Sequence, residues 1–139
     1  MKPAILGIDP GTRKVGFAII EDDRSPALAR GIEPLESFVD RIRDIVTLHP
    51  VRAVALGSGT NASSLAAMLD VLAVPVHIID ETDTTYRARA LYFSEHPPRG
   101  WRRLLPLGLQ LPPGPIDDYA AMLIARRYIA RGAERESGV

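Results

Sequence analysis

The chain has 139 residues, a length that favours a single domain with its own core. Its 17 basic residues balance its 17 acidic ones, so no overall charge points to a polyanionic partner, and the lack of cysteine excludes disulfides and thiolate metal sites. The amino-terminal "MKPAILGIDP" breaks its apolar run at Gly7 and Asp9, too early for a secretion signal or a membrane span, which makes a soluble cytoplasmic protein the expectation.

Residues 4–8 form a short apolar run that reads as a buried strand. A turn at residues 9–14 leads into Val15–Ile20, rich in β-branched and aromatic residues and read as a second strand. After the turn "EDDRS", a weaker third strand is expected over 27–33, which makes an antiparallel meander. The period then changes. In "PLESFVDRIRDIVTLHP", Leu35, Phe38, Ile42, Ile45 and Val46 recur at three- and four-residue spacing, one face of a helix that Pro34 opens and Pro50 follows. "VRAVALG" reads as a buried strand, and "TNASSLAAMLDVLA" as a helix with a Thr/Asn N-cap. "VPVHIIDE" is another strand and "TDTTYRARALYFSEH" another helix. Residues 96–116, dense in proline and glycine, read as a long irregular loop, and "DDYAAMLIARRYIAR" as a closing helix. The expected architecture is α/β: a mixed five-stranded sheet, a three-stranded antiparallel meander plus two parallel strands, flanked by helices. One domain should span residues 1–132, with a polar tail at 133–139.

Several acids fall at the ends of these elements. Asp9 follows the first strand, Asp80 and Glu81 follow the last, and Asp117 and Asp118 open the final helix. Parallel strands laid side by side open their carboxyl ends onto one edge, where α/β proteins place their sites. Carboxylates gathered there repel one another unless a cation sits between them, and oxygen ligands suit Mg²⁺ or Mn²⁺. Such ions, held by carboxylates and substrate phosphate, serve phosphoryl transfer. Each acid alone also has a plainer role: Asp9 as a turn former, Asp117 or Asp118 as a helix cap, Asp80 and Glu81 as a strand exit. "GSGTNASS" between a strand and a helix could offer N–H groups and the Thr60 and Ser63 hydroxyls to a phosphate, but it lacks the lysine of a P-loop.

Three segments carry a family resemblance. "GIDPGTRKVGFAI" resembles the first two strands of the RuvC-like branch of the RNase H-like nucleases. "DETDTTYRARAL" resembles the Asp-Glu-Arg-x-Thr-Thr segment of the YqgF-type (RuvX) members, the pre-16S rRNA nucleases and resolvase-like proteins, and "IDDYAAMLIARRYI" resembles their closing Asp-x-x-Ala-Ala helix. The similarity covers nearly the whole chain and implies an RNase H-like fold with metal-dependent hydrolysis of nucleic-acid phosphodiesters. It implies Asp9, Glu81 and Asp117 as catalytic and metal-binding residues, with Asp118 as the neighbour that could join them. Asp9 would bridge two Mg²⁺ or Mn²⁺ ions, and Glu81 and Asp117 would each anchor one.

Holliday junction resolvases are the nearest alternative implied. They carry a glutamate after the fourth strand, where this chain has Gly57-Ser58-Gly59, and an acid or histidine three residues before the last aspartate, where it has Gly114. Both departures favour the YqgF-type reading. The chain also departs from that type, with Thr82 in place of an arginine and Asp83 in place of an apolar residue. Nucleic acid, RNA or DNA and possibly branched, is the expected partner, held by Thr12, Arg13, Lys14, Thr60, Arg87, Arg99, Arg102 and Arg103, with Trp101 placed to stack on a base. The protein would act as monomer or homodimer, away from membranes. An inactive relative that only binds nucleic acid is the alternative of another class. A two-domain phosphotransferase of the same fold family, with an Asp-x-Gly-x-Thr turn on its first hairpin, fits poorly, because one domain of this length cannot form the ATP cleft. None of His49, His77 and His96 is assigned to catalysis.

Overall fold

The computed structural model of the chain describes residues 4–11, 13–22, 25–59, 61–80, 84–96 and 117–137. Its strands are β1 (Ala4–Asp9), β2 (Lys14–Ile20), β3 (Ala29–Pro34), β4 (Val51–Gly57) and β5 (Val76–Ile79). Its helices are α1 (Leu35–Leu48), α2 (Ala62–Met68), α3 (Thr84–Glu95) and α4 (Asp117–Ser137), with a short 3₁₀ turn at Leu69–Leu72. The five strands form one sheet in the order β3-β2-β1-β4-β5. β1–β2 and β2–β3 pair antiparallel, and β1–β4 and β4–β5 pair parallel. This is the meander plus two parallel strands that the alternation of turns and crossovers implies.

The two faces of the sheet carry different cores. Leu6 and Ile8 of β1 pack with Phe38, Ile42 and Ile45 of α1 and with Leu65 of α2. Phe38, Ile42 and Ile45 fall at the spacing read from the sequence, and burying each such side chain contributes about 1.5–3 kcal/mol. On the other face, Ile5, Ala53, Ala55 and Ile79 pack with Ile124 and Ala125 of α4. By the alternation of a strand, Ile5, Gly7 and Asp9 share this second face.

α4 does not run along the strands. Arg30, Ala18, Gly7, Ala55 and His77 form one register row across all five strands. The helix follows that row. Its first turns meet Arg30 of β3, Ala121 and Ala125 lie over Gly7, and Tyr128 packs against His77 of β5 with ring centroids 5.0 Å apart and the rings tilted by 33°. Ala18, Gly7 and Ala55 make a trough of minimal side chains, which lets the helix backbone sit almost on the sheet. Gly7 is the deepest point. A Cβ there would fall far inside contact distance of the Ala121 carbonyl oxygen and 2.8 Å from Ala125 Cβ.

Several boundaries differ from those the sequence predicts. β3 occupies residues 29–34 rather than 27–33, because its pairing with β2 runs from Ile19↔Ala29 to Lys14↔Pro34. The single helix expected from "TNASSLAAMLDVLA" tightens into a 3₁₀ turn after Met68 and stops at Ala73, which takes a left-handed conformation with φ 55°. α4 continues through Gly132 to Ser137, into the segment read as a polar tail, since Ala133, Glu134, Arg135 and Glu136 are all good helix formers. No described helix is long and apolar enough to cross a membrane.

Candidate active site

β1, β4 and β5 are mutually parallel, so Asp9, Gly57 and Ile79 end at one edge of the sheet. Asp9 is partly buried there, on the face that carries α4, and it is engaged in an interaction within the protein. The chain behind it turns tightly. Pro10 is buried, and a Cβ on Gly11 would collide with the Lys14 carbonyl oxygen, so only glycine suits that position.

The turn is tied from two sides. Asn61 Nδ2 donates to the Gly11 carbonyl at 2.9 Å, and the backbone N–H of Leu35 donates to the Arg13 carbonyl at 2.8 Å. The second bond also satisfies one of the free N–H groups at the start of α1. The first reassigns a side chain. The sequence reading makes "TNASS" an N-cap of the helix, yet the Asn61 side chain makes no cap bond and spans to the β1–β2 turn instead. Arg13 and Lys14, at the end of the same turn, are exposed.

Asp117 is the first residue of α4. It lies one helical turn ahead of Ala121, which crosses Gly7, while Asp9 lies two residues beyond Gly7 on the same face. The start of α4 and Asp9 thus share one face of the sheet. Asp118 engages β3. Its Oδ2 lies 3.7 Å from Nε of Arg30 on β3. That guanidinium also lies 3.8 Å from Glu95 Oε2, donates to the Tyr119 hydroxyl at 3.4 Å and the Met122 sulfur at 3.6 Å, and sits 4.6 Å over the Tyr119 ring. The Tyr119 hydroxyl donates to Glu95 Oε2 at 2.7 Å. Burial, and next the bond to Glu95, raise the Tyr119 pKa above its ordinary value, so the phenol stays protonated at neutral pH.

At the far side of the edge, the Arg127 guanidinium donates to the Asp80 carbonyl, joining α4 to the end of β5. His77 is occupied by Tyr128, and His96 stacks on Tyr92 at 4.7 Å. Glu81, Thr12, Thr60, Arg99, Trp101, Arg102 and Arg103 lie outside the described residues. Arg87 falls in the first turn of α3. Among the described residues no three His, Asp or Glu groups converge to hold a metal ion; Glu81 and the Asp117 carboxylate are not among them.

No family model matches this sequence, and no curated protein does. Solved structures do match in shape. RuvC of T. thermophilus in complex with a Holliday junction substrate superposes with a TM-score of 0.55 over 94% of this chain and 96% of that one, at 20% identity. Another Thermus thermophilus RuvC structure gives 0.53, over 93% and 96%, at 19% identity. The chain has the RuvC fold. The five-stranded mixed sheet and its flanking helices are the RNase H-like arrangement that the resemblance implies.

Sequence reading missed three residues that shape this site. Gly7 carried the one available signal, a glycine inside an apolar strand, which marks close approach of another backbone. Arg30 and Asn61 carried none, since their partners are distant in the chain.

Proposed function

We propose that this protein is a divalent-cation-dependent nuclease that hydrolyses phosphodiester bonds of RNA or DNA. The observation that carries the reading is the RuvC fold over nearly the whole chain with Asp9 at the end of β1 and an aspartate pair opening α4. Asp9, Glu81 and Asp117 are the proposed ligands, an all-oxygen set suited to Mg²⁺ or Mn²⁺. Bound there, one or two such ions would lower the pKa of a water and neutralise charge on the scissile phosphate. Attack by water would form one P–O bond as the water gives a proton to solvent, and would break another as the leaving oxygen takes a proton from solvent.

The protein's own part is to bind and orient. The turn held by Asn61 and Leu35 keeps Asp9 at the open edge, and exposed Arg13 and Lys14 beside it offer contacts to the nucleic-acid backbone. Thr12, Thr60, Arg87, Arg99, Arg102 and Arg103 are proposed to extend that contact, with Trp101 stacking on an unpaired base.

Two substrate classes are supported by different observations. A YqgF-type role on structured RNA, such as ribosomal-RNA maturation in the cytoplasm, rests on the Asp-x-x-Ala-Ala helix and on Gly57-Ser58-Gly59, where resolvases carry a glutamate. A resolvase role on branched DNA rests on the shape match to a RuvC bound to a Holliday junction substrate. Labelled single-stranded RNA, single-stranded DNA, duplex and four-way junction, incubated with Mg²⁺ or Mn²⁺, separate the two. Cation-dependent cleavage that Asp9→Asn abolishes is the expected result. Preference for the junction selects the resolvase role. No cleavage of any substrate refutes the enzyme reading, and cleavage surviving in Asp9→Asn refutes the site.

A further inference from the structure

Asp117 and Asp118 are adjacent, and successive residues of an α-helix point about 100° apart, so the two carboxylates cannot serve the same place equally. The difference between them comes from β3. Arg30 sits in the same register row as Gly7, at the point where α4 begins its crossing, and its guanidinium meets four residues: Asp118, Tyr119, Met122 and Glu95. The planar fork allows what a point charge would not, because it presents its edge N–H groups to carboxylates while its face covers the Tyr119 ring. The Asp118 side chain is only 17% exposed, and a carboxylate so covered needs a charged partner.

We propose that Arg30 is a positioning residue that holds Asp118 against β3, withdraws it from the cation site and fixes the start of α4. The inference rests on the nuclease reading and deepens it, since it assigns different tasks to the two neighbouring aspartates. Asp117 then serves the cation, and Asp118 serves the helix. The same contacts join Glu95, at the end of α3, to Tyr119, in the first turn of α4, so the chain leaves α3 and enters α4 at one fixed point.

The test is Mn²⁺ titration of the full chain, followed by calorimetry and by the shift in thermal midpoint, together with amide exchange at residues 120–122. Arg30→Met, which keeps an apolar stem over the Tyr119 ring, should weaken Mn²⁺ affinity about tenfold, the scale of losing a group that orients a ligand. Exchange should quicken in the first turns of α4 and not in the sheet. Asp118→Asn should weaken affinity in the same direction, and the double variant should be no worse than the poorer single, because both remove one contact. Asp117→Asn should abolish binding. Unchanged affinity in Arg30→Met, losses that multiply in the double variant, or abolition by Asp118→Asn with Asp117→Asn still binding would each overturn the assignment. Should Arg30→Met unfold, Asp118→Asn and Tyr119→Phe carry the same comparison. A wild-type protein that binds no Mn²⁺ refutes the nuclease reading itself, which is a separate result.

Discussion

Replacing Gly7 by alanine tests the seat of α4 on the sheet. The new Cβ would lie 2.8 Å from Ala125 Cβ and 3.1 Å from the Ala121 carbonyl carbon, with the Ala121 oxygen closer still. Ordinary contact begins near 3.4 Å, so the Ala125 contact alone demands a shift of about 0.6 Å, and the carbonyl demands more. Neither neighbour can rotate away, because one is a helix backbone and the other a methyl fixed to it. β1 is equally constrained, paired on both edges with β2 and β4. Overpacking of this kind costs about 1–3 kcal/mol, and the lower chain entropy of alanine in the unfolded state returns about 0.4–1 kcal/mol. The clash with a backbone carbonyl puts the cost at the upper end of that range, so we expect a net loss of about 2 kcal/mol, read as a lower urea midpoint at unchanged slope. Gly31→Ala is the control. Its Cβ would meet only the Cε1 and Cζ atoms of the buried Phe17 ring, at 3.1 Å, a shortfall of about 0.3 Å and no collision with backbone, so the loss should be well below that of Gly7→Ala. A Gly7→Ala variant as stable as the Gly31→Ala one would refute the close approach of α4 and the placement of its first turn.

Asn61 offers a contrast between two roles for one side chain. Asn61→Asp keeps a good N-cap but replaces the donor to the Gly11 carbonyl with a charge that repels it, so it should quicken amide exchange at Gly11 and Arg13 and lower cleavage at least as much as Asn61→Ala. Asp that is as good as Asn in both readouts would return the residue to simple capping. Tyr119 gives a pH dependence with a definite sign. Its folded pKa lies above the unfolded value of 10.0, so its contribution is complete below pH 10 and is lost as pH rises through the folded value. Denaturant midpoints measured from pH 9 to 11 should therefore fall in the wild type and fall less in Tyr119→Phe; parallel curves would show that the hydroxyl is not buried against Glu95.

The local elements were legible in the sequence because their causes are local. Apolar runs of five to seven residues bounded by turn formers specify β1, β2 and β4, and the three- and four-residue spacing of Phe38, Ile42 and Ile45 specifies the buried face of α1. Asp9 at a strand end, followed by Pro10 and Gly11, marked the sheet edge where the proposed site lies for the same reason: the turn chemistry sits in consecutive residues. The order of turns and crossovers then implied the mixed sheet. What no local pattern could supply was the path of α4. Its transverse seat depends on Ala18, Gly7 and Ala55 falling into one register row, which exists only after three strands have paired. Arg30 meets Tyr119 and Met122 from 89 and 92 residues away, and Asn61 reaches Gly11 across 50, so their tasks leave no trace in neighbouring residues. The sequence by itself determined which carboxylates stand at element ends. Only the tertiary structure distinguished Asp118 from its neighbour, because the arginine that engages it belongs to the opposite edge of the meander.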